Sequence, residues 1–196
     1  MEKSNLRTNF STKEITMIGM LSGISIFLGV TRLGFIPLGP INATIMHIPV
    51  IIGAIVGGPV VGALVGLVFG LFSMYQAFTV PLPTSFIFWN PLIAIVPRVL
   101  IGIVAYYLYN FLKNKFKNEK FSIGISSILA TLTNTIGVMG LTYIIYLDKY
   151  ATALGVSKKA ATVGILTIIG INGSIEAIIS AIISVALILT IFKIRK

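Results

Sequence analysis

The chain alternates long apolar runs with short polar or basic breaks. The run 43–73, ATIMHIPVIIGAIVGGPVVGALVGLVFGLFS, contains no Asp, Glu, Lys or Arg. An uncharged, glycine-rich stretch of this length suits a bilayer, where backbone polar groups must be satisfied within the segment. Gly57-Gly58-Pro59 divides it and predicts a tight turn between two helices. Gly53, Gly57, Gly58, Gly62, Gly66 and Gly70 recur mostly four apart, which aligns small surfaces for close approach of a second helix. The pattern predicts an inward helical hairpin at the centre of a compact bundle.

Helices are predicted at 13–30, 43–56, 59–78, 86–112, 121–146 and 160–192. Ser11 or Thr12 caps the first, with Glu14 in its first turn. Its Gly19-Met20-Leu21-Ser22-Gly23 segment is a small-xxx-small pattern. The segment 31–42 is an apolar loop holding Gly34, Pro37, Gly39 and Pro40, expected to fold against the bundle. A second outer loop, 79–84, and a polar loop, 147–159, lie farther along. The last helix is longer than the roughly 20 residues one span needs, so it tilts, bends near Gly170 and Gly173, or starts outside the membrane. The fold class is therefore an all-α integral membrane protein, a single six-transmembrane-helix bundle.

Composition agrees. Of 196 residues, 56% are hydrophobic and 10% charged, with a mean hydropathy of +1.01. Those values place the chain in the membrane class as one small domain. The absence of cysteine excludes a disulfide framework, a thiolate nucleophile and a thiolate metal site. A single histidine, His47, argues against a histidine zinc site, and no metal or cofactor is expected. The charge of +10 is not read as nucleic-acid binding, because the basic residues sit in short patches beside apolar runs. With both termini cytoplasmic, Lys3, Arg7, Lys13, Lys113, Lys115, Lys117, Lys120, Lys193, Arg195 and Lys196 lie inside. Arg32, Lys149, Lys158 and Lys159 lie outside, so the positive-inside rule fixes the orientation. No cleaved signal peptide and no internal repeat is evident. The chain has no GxxxxGK[ST] loop and no Ser-His-Asp set. It is not read as an enzyme, and energy for uphill transport must come from elsewhere.

A few polar side chains interrupt the apolar runs, each costing at least ~2.5–3.5 kcal/mol if charged, and such groups normally face the bundle or water. Arg98 lies eight residues after Asn90, about 80° around a helix. Asn172 and Glu176 are four apart and share a face. Asn134 sits between Thr131, Thr133 and Gly137. One reading is an outward-open cavity lined by Asn90, Arg98, Asn134, Asn172 and Glu176, with Trp89 and Tyr75 as flat surfaces. The other is a structural Arg98–Glu176 ion pair, and the two are compatible. Asn42 and Gln76 are further candidate contacts. His47 reads as a hydrogen-bonded structural residue before a ligand contact, and the remaining tyrosines read as interface anchors.

The chain resembles the substrate-binding S components of energy-coupling-factor (ECF) vitamin transporters over essentially its whole length. The resemblance rests on size, the six-helix pattern, LGFIPLGPINAT, the 43–73 run, PTSFIFWNPLIAIVPR and the late NGSIEAII. It is greatest to the pantothenate-type members. S components for cobalamin, folate, hydroxymethylpyrimidine, pyridoxine or riboflavin are alternatives, as is a self-sufficient secondary transporter using Glu176 as proton carrier. The resemblance implies a vitamin held near the outer surface of a prokaryotic plasma membrane, surrounded by membrane lipid. It also implies an ECF module of one membrane coupling protein and two ATPases, docking at Gly19, Ser22 and Gly23. Asn134 and Asn172 match asparagines of riboflavin-type members. Those members carry a lysine near the second asparagine, where this chain has Glu176.

Overall fold

The computed structural model describes residues 10–38 and 41–194, with the side chains of 36–43 excepted. The first helix, α1 (Thr12–Val30), starts at a capping box: the Ser11 hydroxyl accepts from the Glu14 N–H at 3.3 Å, and the Glu14 carboxylate accepts from the Ser11 N–H at 2.8 Å. The loop expected at 31–42 contains instead an antiparallel hairpin, β1 (Phe35–Leu38) and β2 (Ile41–Thr44), in the register Phe35↔Thr44. The second helix consequently begins later than expected: α2 runs Ile48–Gly57 and α3 Pro59–Thr79.

The break between them falls at Gly58, whose φ of +103° is open to glycine and strained for other residues. With 10 residues, α2 is about 15 Å long, half a hydrocarbon core. Residues Ile48 to Ile55 are all buried, so α2 serves as the pillar of the core. Around it pack Val61, Val65, Ile101, Ile123 and Ile188. The glycine stripe has the close contact its spacing predicts. A Cβ at Gly66 would fall on the Arg98 carbonyl, and one at Gly70 would lie 2.7 Å from the Ala94 carbonyl oxygen. A Cβ at Gly102 would run into the Gly62 backbone.

The helix expected at 86–112 is broken into a 3-10 turn (Ser85–Trp89), a single turn α4 (Pro91–Ala94) and α5 (Val96–Phe116). Asn90 caps α4 by accepting from the Leu92 N–H at 3.0 Å, and each new segment places a proline in its first turn, where the missing N–H costs nothing. The next helix, α6 (Glu119–Leu154), extends well past the expected 146 and bends at Tyr146 (φ −128°, ψ 15°). The final long helix is interrupted where its glycines suggested: α7 (Lys158–Thr167), a π-turn (Ile168–Asn172) and α8 (Gly173–Ile194).

Five helices or helix combinations are long and apolar enough to cross a membrane among the described residues, and α2 is a sixth, short apolar helix. Two of the basic stretches gather at one end. Lys13 of α1 shares a cleft with Val56 and Ile191, and Lys113, Lys117 and Lys120 share another with Leu189 of α8. The hairpin and the 3-10 turn lie toward the opposite end.

Candidate functional site

Two groups of buried polar side chains occupy the bundle. The first joins β2, α2, α6 and α8. Glu176, 7% exposed, accepts from the Thr44 N–H (2.8 Å), the Thr44 hydroxyl (3.0 Å) and the Thr135 hydroxyl (3.4 Å). One turn earlier on α6, Thr131 lies 3.0 Å from His47 Nε2 while donating to the Ser127 carbonyl at 2.8 Å. The His47 Nδ1 is buried and has no partner.

The second group belongs to α3, α4 and α5. Arg98 is 6% exposed, and its Nη1 donates to the Ile93 carbonyl at 2.8 Å. Its guanidinium carbon lies 4.9 Å from the Phe88 ring centroid and 5.6 Å from that of Phe69. Such cation–π contacts partly replace the hydration a buried cation loses. The Arg98 Nε has no partner. Arg98 and Glu176 make no ion pair, which corrects that reading of the sequence: the hydroxyls of Thr44 and Thr135 satisfy the carboxylate, and a carbonyl with two rings holds the cation.

Between the groups stands Asn134, on the turn of α6 between Thr131 and Gly137. Gly137 packs against Pro97, the residue before Arg98. The Asn134 Oδ1 is buried without a partner, and so is the Oδ1 of Asn172 at the end of the π-turn. Orphaned buried acceptors are uncommon and call for a water or a ligand donor.

Other candidates are placed differently. Trp89 donates to the Ala77 carbonyl at 3.3 Å and stacks on Phe78, with centroids 5.5 Å apart and planes 2° apart. Its N–H is thereby used, and it is 45% exposed. The Asn90 side chain reaches the Tyr146 hydroxyl at 3.4 Å. Tyr75 is exposed on α3, and Gln76 donates to the Gly29 carbonyl at 3.5 Å, tying α3 to α1. The side chain of Asn42 and the basic residues Lys3, Arg7, Arg195 and Lys196 lie outside the described residues. On α1, Gly19 and Gly23 face open space while Ser22 is buried.

The family model for the substrate-specific component of ECF transporters matches residues 13–188. The chain belongs to this family. Among its relatives, the pantothenic acid transporter PanT of Lactococcus lactis subsp. cremoris is 32% identical over 170 residues, 80% of this chain and 81% of its own length. The pantothenate transporter PanT of Leuconostoc mesenteroides subsp. mesenteroides is 36% identical over 161 residues, 79% of this chain and 78% of its own. A solved structure described as the S component of a bacterial ECF transporter matches with a TM-score of 0.65 at 23% identity, covering 94% of this chain and 98% of that one. That last likeness concerns the fold.

In this S component, the polar residues that interrupt apolar runs were visible in the sequence, but two of their partners were not. Thr44 and Thr135 complete the Glu176 site, and neither stands out by residue type. The signal for Thr135 was its four-residue spacing from Thr131, which puts both hydroxyls on one face of α6.

Proposed function

We propose that this S component captures pantothenate from outside a prokaryotic cell and delivers it inward with an ECF module that supplies the ATPases. The observation that carries the reading is the pair of relatives named as pantothenate transporters, each matched over about four-fifths of its length. The buried polar groups support it chemically. Pantothenate is a small anion with hydroxyl and amide groups. Arg98 offers a two-pronged carboxylate partner, and the unpaired oxygens of Asn134 and Asn172 accept from hydroxyl or amide donors.

The orientation follows from charge. The end bearing Lys13 and Lys113 to Lys120 is cytoplasmic, with both termini, and the hairpin faces outward. Gly19 and Gly23 leave an open, small-residue strip on α1 for the membrane coupling protein.

Proteoliposome uptake tests the proposal. Labelled pantothenate enters only when the chain is reconstituted with its coupling protein, both ATPases and ATP. Uptake by the chain alone under a pH gradient would overturn the division of labour. Copurification of a different vitamin, detected by mass spectrometry, would overturn the substrate.

A further inference from the structure

Glu176 is an acid buried in the bundle whose side chain already has partners within the protein. One oxygen accepts both the backbone N–H and the hydroxyl of Thr44, 132 residues away in sequence, and the other faces Thr135. Thr44 ends β2, opposite Phe35 of β1. The tertiary neighbours of β2 are α8 and the π-turn before it. The base of the hairpin is tied on its other side by the Ile45 N–H to the Gly34 carbonyl and by the Gly34 N–H to the Leu28 carbonyl, both at 2.9 Å.

We propose that Glu176 is a positioning residue which acts on the hairpin and not on the vitamin. Its carboxylate clasps the end of β2 to α8 and so sets how fast the site exchanges its ligand. The geometry separates two roles that the sequence merged. Arg98, Asn134 and Asn172 carry unpaired groups suited to a ligand, whereas one Glu176 oxygen already accepts both Thr44 donors and the other lies 3.4 Å from the Thr135 hydroxyl, which is equally near the Thr131 carbonyl. The inference rests on the proposed pantothenate site only for the identity of the exchanging molecule.

Amide hydrogen exchange on the unliganded protein in lipid nanodiscs tests the clasp without any vitamin. Hydrogen bonds to charged groups are strong enough that Glu176→Ala should speed exchange in peptides spanning residues 33–46 by about tenfold. Peptides from α3 and α5 should keep the wild-type rate. Glu176→Gln retains an acceptor oxygen and should stay within about twofold, and Thr44→Val, which removes only the hydroxyl, should give about threefold. Pantothenate association and dissociation, followed by stopped flow, should both accelerate in Glu176→Ala. Unchanged hairpin exchange in both Glu176→Ala and Thr44→Val would overturn the proposal. So would acceleration spread equally over α6 and α8 in Thr44→Val, a change mild enough to keep the fold. A wild-type protein that binds no pantothenate but shows the localised exchange pattern refutes the vitamin and leaves the clasp standing.

Discussion

The α3–α5 contact and the α6–α8 contact are both tight helix pairs, built from opposite materials. Along α3–α5 the helices meet backbone to backbone at Gly62, Gly66 and Gly102, and Gly70 meets the backbone of Ala94 and Ile95 just before α5. Both α6 and α8 instead bury hydroxyls, Ser122, Ser126, Ser127, Thr131 and Thr135 on one helix and Ser180 and Ser184 on the other, and Thr135 faces Glu176 across the contact. Within a bilayer, burying apolar surface gives little drive to associate, so packing and hydrogen bonds carry the contact. The glycine contact leaves no room to slide. In the second pair the α6 hydroxyls bond back to carbonyls of their own helix, as Ser126 does to Ser122 at 2.7 Å, and the hydroxyls of Ser180 and Ser184 have no partner. The first pair therefore fixes Arg98, whose carbonyl it holds. The second is the side on which the hairpin is attached, through Thr44 and Glu176.

The largest expected effect falls on the fixed side. Arg98→Ala should weaken pantothenate binding by about 2–5 kcal/mol, the usual loss when a buried charge partner is removed. Affinity equal to wild type would take Arg98 out of the site. Next, Gly66→Ala places a methyl on the Arg98 carbonyl and should lower stability by about 1–3 kcal/mol. Thermal unfolding in detergent measures it, and a neutral result would mean the two helices can part freely.

Smaller changes probe the hydroxyl-bearing side. Thr131→Val removes the partner of His47 Nε2 and should cost about 0.5–1.5 kcal/mol. Ser184→Ala removes a buried hydroxyl without a partner, and stability should shift by less than about 0.5 kcal/mol or rise slightly. A loss above about 2 kcal/mol there, the range of a buried group deprived of its partner, would show that the α6–α8 contact is held as rigidly as the glycine contact.

How far the sequence announces this depends on whether the cause is local. The Gly57-Gly58-Pro59 turn and the glycine stripe were legible because each follows from backbone sterics at named residues. The capping box at Ser11 and Glu14 was legible for the same reason. The hairpin was not: its apolar residues, Gly34 and Pro37 read equally well as a loop, and its pairing with Thr44 is held from α8. The breaks at Asn90 and Ile95 were hidden because Pro91 and Pro97 are compatible with a helix start as well as a kink. The stretch 147–154 reads as polar loop, but its residues carry α6 onward past the Tyr146 bend, as a helix can when only part of it needs to span lipid. For the site, the sequence picked out costly side chains, and their pairing depended on helix rotation. Arg98 and Glu176 therefore suggested an ion pair, while the fold gives each a different set of partners.

Titration calorimetry of the purified protein with pantothenate, run beside Arg98→Ala, bears most directly on the claim that these buried polar groups serve one vitamin. Submicromolar affinity at one site per chain is expected, with its near-complete loss in the variant. Absence of submicromolar binding by the wild-type protein, or equal binding by both proteins, would contradict it.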